Sequence, residues 1–171
     1  MTSTQKKIQK SSKILSIVFL VFLCSCTIQG LNVLWKVVWL LLNPVNAMTF
    51  YSNLYPLASH GATLLHQTVY TGIWAAFVAA FVLLYRIFRD ISRQYTPFQQ
   101  LHVRRLRWTA VVLTAAYTLE IALASMSGMM TNGMLRISWS LDPFLIPLTL
   151  IGLSFILDYA CQLQNEADTT L

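Results

Sequence analysis

One acidic side chain stands where an acid is expensive. Glu120 falls inside the apolar run from Trp108 to Ser127, twelve residues past its start, which is about 18 Å along a helix rising 1.5 Å per residue. A carboxylate near the centre of a bilayer costs about 2.5–3.5 kcal/mol on insertion scales, so it is turned inward, paired or protonated. Ala116, Ala124 and Gly128 share its face at four-residue spacing. That small surface predicts that Glu120 is buried against a neighbouring helix. Gln29, fifteen residues after Ile14 in the first apolar run, lies at a comparable depth and can hydrogen-bond to it. Tyr117, one turn earlier, and Lys36, at the outer interface, are further partners. The expected chemistry is a polar clamp between helices, with a proton, ion or ligand site as the alternative.

A second cluster is cationic. Arg86, Arg89, Arg93, Arg104, Arg105 and Arg107 fall within twenty-two residues. They read as anchors to anionic lipid heads, worth about 1 kcal/mol each, or as a docking surface for an acidic cytoplasmic partner. Gln164, Glu166 and Asp168 of the polar tail belong to the same face. No phosphate-binding glycine loop, paired-histidine metal motif or nucleophile elbow occurs, so the chain reads as non-enzymatic, without cofactor or metal. His60, His66 and His102 are dispersed and read as solvated or interfacial. Cys24, Cys26 and Cys161 lack metal or redox spacing and read as small apolar fillers.

The elements that must position these groups follow from composition. The chain is 56% hydrophobic and 11% charged, well below the charge of about 25% that wets a soluble domain. Its apolar residues come in runs long enough for lipid, each needing roughly 20 residues to cross. Spans are expected at 14–34, 67–85, 108–127 and 143–163, giving an all-α integral membrane four-helix bundle. The first run stays apolar to Leu42, through an interfacial collar of Trp35, Lys36 and Trp39, and Asn43-Pro44 ends it. It continues well past Cys26, which suits a retained helix rather than a cleaved signal. Residues 43–65 and 129–141 read as external loops, 86–107 as a basic linker and 164–171 as a tail. Gly72, Ala76 and Ala80 give the second span a small face suited to helix contact and to homo-oligomerisation. Thr96-Pro97-Phe98-Gln99 and Asp142-Pro143 carry helix-start chemistry, a capping side chain followed by proline at the first position.

The net charge of +6 does not imply nucleic acid. Ten of twelve basic residues lie in the N-terminal segment and the linker, against Lys36 at the outer interface and Arg136 in the second external loop. That bias places the N-terminus, linker and C-terminus in the cytoplasm.

The linker Thr96-Pro97-Phe98, followed by a basic pair and the third span, resembles the linker of the bacterial membrane proteins catalogued as domain of unknown function 2975. The C-terminal stretch from Tyr159 to Leu171, with Leu163-Gln164 and then Glu166 and Asp168, resembles that family's ending. Tyr95-Thr96 stands where the family often has a glycine, and Cys161 near a usually small residue. The resemblance implies four spans, a bacterial cytoplasmic membrane and no established activity. It also implies a cytoplasmic regulatory partner, since members are often encoded beside small helix-turn-helix regulators.

Overall fold

The computed structural model describes residues 3–94, 99–135 and 140–169. It is all-α: α1 (Ser3–Leu42), α2 (Pro44–Ser52), α3 (His60–Gln94), α4 (Gln100–Asn132) and α5 (Asp142–Thr169). Four of the five are long and apolar enough to cross a membrane. Even where α1 is surrounded by nothing of its own chain it remains apolar, with Ile17, Val21, Phe22, Ile28 and Leu31 all exposed. A helix with no polar side is stable only where lipid replaces water.

Each long helix is held to the next by an interlocking seam. The buried residues of α4 include Leu106, Ala110, Leu113, Ala116, Leu123 and Met130, and those of α3 include Ile73, Ala80, Leu84 and Ile87. Steps of three, four and seven place each set on one side of its helix, as knobs-into-holes packing requires. Ile73 packs with Ala116 and Leu123 at one end of the seam, and Leu84 and Ile87 with Leu106 at the other. Hydroxyls inside the spans are satisfied locally: those of Thr27, Thr109, Thr114, Thr118 and Thr149 donate to the carbonyl four residues back. These hydroxyls thereby need no partner from another helix, whereas the buried Trp74 Nε1 of α3 has none.

The bundle is open. α1 packs on α3, α3 on α4 and α4 on α5. Among the described residues the backbones of α1 and α5 approach neither each other nor the helix beyond their neighbour. Between these flanking helices runs an apolar groove of about 740 Å³, floored by Phe77, Leu84 and Leu113 and walled by Phe19 and Leu150.

Several boundaries differ from the sequence expectation for identifiable reasons. Asn43 does end α1, but Pro44 takes the first position of a new helix, where its missing N–H costs nothing. The stretch 43–65 therefore holds α2 and the first turn of α3. Ser59 caps that turn by accepting from the Ala62 N–H at 3.2 Å. The linker 86–107 is mostly the continuous ends of α3 and α4. The helix start expected at Thr96-Pro97-Phe98 lies outside the described residues, as does Arg136. α4 runs on through Asn132 until Gly133, whose φ of 68° and N–H bond to the Met129 carbonyl (3.1 Å) close the helix. The tail remains helical to Thr169.

The small face of α3 is only partly used. Ala80 is buried, Ala76 half-buried and Gly72 exposed, with no heavy atom within 4 Å of where a β-carbon would stand. The close helix approach falls instead at Gly30 of α1, whose β-carbon position lies 3.4 Å from Trp74 Cβ.

Candidate ligand cavity

At the end of the bundle opposite the termini, α2 folds back over α1 and α3. Its buried Ala47 and Tyr51 pack with Leu40. Tyr51 stacks on Tyr55 at 6.4 Å and Tyr55 meets the His66 ring at 5.5 Å. Tyr70 also stacks on His66, at 6.4 Å. This aromatic ladder keeps the helices from closing, and a cavity of about 400 Å³ remains. Lys36 comes from α1, Tyr51 and Tyr55 from α2 and the turn after it, His66, Gln67 and Tyr70 from α3, and Glu120 and Ser127 from α4.

Glu120 occupies a seam position, four residues after Ala116 and three before Leu123, yet it is exposed. The space before it is the cavity rather than a helix. This corrects the expectation of burial on a small face: Ala124 is also exposed, and Gly128 half-buried. Neither expected partner reaches the carboxylate. Gln29 is exposed on α1, and α3 stands between α1 and α4, so no Glu120–Gln29 clamp forms. Tyr117 turns to the apolar groove, its ring 5.5 Å from Phe77. Lys36 does share the cavity wall. Opposite in charge, Lys36 and Glu120 form no ion pair or hydrogen bond with each other or with another described residue.

The neutral polar groups here escaped sequence reasoning. His66 was read as solvated or interfacial, but it is 6% exposed. Its Nε2 lies 2.8 Å from Ser127 Oγ, and that hydroxyl donates its proton to the Leu123 carbonyl at 2.9 Å. Nε2 is therefore assigned as the donor to Ser127, which leaves Nδ1 bare. Nδ1 and Tyr51 Oη are both buried with no hydrogen-bond partner. Burial, and then neighbouring Tyr55, push the Tyr51 phenol above its ordinary range, so Oη keeps its proton. The signal for this group was present in His66, Gln67 and Tyr70, which fall within about one turn at the start of an apolar run. It was unreadable without knowing that α2 folds back upon them.

At the terminal end the polar groups are tied to one another. Arg105 pairs with Asp90 across α3 and α4, and Arg107 Nη2 donates to Asp158 of α5 at 2.7 Å. Asp158 also accepts from Gln100 at 3.0 Å. Arg89 lies over the Tyr85 ring at 5.9 Å. Arg86, Arg93 and Arg104 are exposed, as are Gln164 and Glu166; the Asp168 side chain lies outside the description. His102, also expected to be solvated, is 1% exposed and faces the apolar groove. Cys161 is buried, Cys26 half-buried and Cys24 exposed. Among the described residues no group of three His, Cys, Asp or Glu side chains is placed to hold a metal ion.

No family model, curated protein or solved structure matches the chain. Four helices fit to cross a membrane, with a polar cavity at one end and an ion-paired basic face at the other, describe a multi-pass helical membrane protein.

Proposed function

We propose that this chain is a non-enzymatic, membrane-bound regulatory protein of a bacterial cytoplasmic membrane. It receives a small polar ligand in the cavity around Glu120 and presents its basic face to a cytoplasmic partner. One observation carries the reading: in an otherwise apolar bundle, unpaired Lys36 and Glu120 share a cavity whose wall holds two orphaned buried polar groups, Tyr51 and His66. Unsatisfied buried groups cost about 1–3 kcal/mol each; His60, Trp74 and His102 carry the same deficit elsewhere, and Tyr51 and His66 are singled out by the unpaired charges that share their cavity. The ten-to-two distribution of basic residues supports placing the cavity mouth outside and the face of Arg86, Arg93 and Arg104 inside. The likeness of Leu163-Gln164 and Glu166 to the family named above supports a helix-turn-helix regulator as the partner. The protein is not itself assigned to nucleic acid.

Access tests the reading. In a chain carrying Cys24→Ser, Cys26→Ser and Cys161→Ala, Ala124→Cys places a thiol on the cavity wall. A membrane-impermeant thiol reagent added to intact cells should label it; absence of labelling there, with labelling after permeabilisation, overturns the reading. The output is tested by a photo-crosslinker at position 93 in native membranes. Capture of a DNA-binding protein supports the regulatory role. Capture of the chain alone favours a homo-oligomeric carrier or sensor, a second reading supported by the open space above exposed Gly72.

A further inference from the structure

The cavity's chemistry narrows its ligand, and the inference rests on the receptor reading just given. Lys36 supplies a cation from α1 and Glu120 an anion from α4, on walls separated by aromatic rings. In nearly all protein ion pairs the partners are drawn together. Here α3 holds the two helices apart, and neither group finds another partner among the described residues. Both side chains are exposed in the open cavity, and a ligand of one charge displaces water from both walls yet neutralises only one. A neutral ligand neutralises neither. Only a ligand with both charges, spaced across the cavity, satisfies each wall.

The uncharged lining completes the description. Phe50, Tyr51, Leu54, Tyr55, Tyr70 and Leu123 are all in the wall, so the ligand's body is apolar and accommodates an aromatic surface. About 400 Å³ lies within the range of small-molecule sites. Tyr51, kept protonated, carries a donor with no partner, and His66 an acceptor with none. We infer that the cavity is a binding site for a small zwitterion with an aromatic body, of the class of an aromatic amino acid. Its carboxylate faces Lys36 and its ammonium faces Glu120.

Three compounds that share one skeleton test this on the full chain in nanodiscs, by calorimetry. Phenylalanine carries both charges, phenethylamine only the ammonium and 3-phenylpropionate only the carboxylate. Phenylalanine should bind at least tenfold more tightly than either. Lys36→Met should abolish the advantage over phenethylamine, and Glu120→Gln the advantage over 3-phenylpropionate. Both variants change groups at the cavity wall, so each should keep the wild-type unfolding midpoint. Equal binding of a singly charged compound, or no binding of any of the three, overturns the zwitterion assignment. Labelling at Ala124→Cys separates the two failures. A thiol that labels from outside in a chain blind to phenylalanine leaves a receptor of another ligand class. A thiol that does not label removes the receptor itself.

Discussion

At the scale of single residues, the cavity is built from polar groups that the fold leaves incomplete, and that incompleteness has measurable consequences. Tyr51 Oη is buried without a partner, so Tyr51→Phe removes a desolvated hydroxyl while keeping the ring that packs on Tyr55. The ligand-free protein should become more stable by up to about 1 kcal/mol, read as a higher midpoint of unfolding in mixed micelles. Phenylalanine binding should weaken in the same variant, and a fall in stability would mean that the hydroxyl already has a partner. Ser127→Ala has the opposite sign, because it strips His66 of its bond from α3 to α4. Interhelical hydrogen bonds in membranes average about 0.6 kcal/mol and reach about 1.7. A loss of about 1 kcal/mol is expected, and His66→Phe in the same chain should recover part of it. Additive losses would show the two side chains to be independent. Glu120 was legible in the sequence because an acid inside an apolar run stands out by cost alone. Its surroundings were not: Gln29 and Tyr117 were chosen by depth and by helical turn. Depth says nothing about which helix lies between two spans, and Tyr117, three residues from Glu120, faces a different cavity.

At the scale of elements, the runs that form helices were legible and their ends were less so. Apolar length shows where lipid is the solvent, but a helix continues beyond the bilayer for as long as nothing stops it. α4 therefore passes Ser127 until Gly133 adopts a left-handed conformation, and α5 continues through the polar tail. Asn43-Pro44 was rightly read as a stop, but Pro44 starts a helix as well as it ends one. Contact faces were harder still, since small residues permit close approach without saying which of them will be used. Gly72, Ala76 and Ala80 formed the obvious stripe, whereas Gly30 makes the close approach to Trp74 at 3.4 Å. Gly30→Ala should be nearly neutral, the loss of a flexible glycine offsetting a slightly tight contact. Gly30→Leu should force α1 away from α3 and cost about 1–3 kcal/mol, as overpacked sites do. Loss of the energy transfer from Trp74 to an acceptor placed on α1 would report the separation directly. A Gly30→Leu chain of unchanged stability and unchanged distance would place the α1–α3 approach elsewhere.

At the scale of the whole molecule, the row of four helices gives the two ends different characters, and charge decides which end faces which compartment. At the terminal end, Arg105 and Arg107 bind carboxylates of α3 and α5. These exposed or half-exposed pairs are worth little individually. Together with Gln100 they fix the ends of α3, α4 and α5 relative to one another, so the remaining arginines stand on an ordered surface. The four lysines of the first turns of α1 lie at this same end. At the opposite end the described residues hold one fixed cation, Lys36, and it lines the cavity. An insertion apparatus that retains basic segments in the cytoplasm should therefore leave both termini there. In the cysteine-substituted background, Ser59→Cys, at the start of α3, should react with an impermeant thiol reagent on intact cells. Glu166→Cys, near the end of α5, should react only after permeabilisation. The reverse pattern would turn the cavity toward the cytoplasm. The Lys36–Glu120 pair would then sample a metabolite inside the cell, and the arginine face would meet the anionic surface of the outer leaflet instead of a regulatory protein. One pair of labelling reactions thus determines which compartment supplies the ligand and which receives the response.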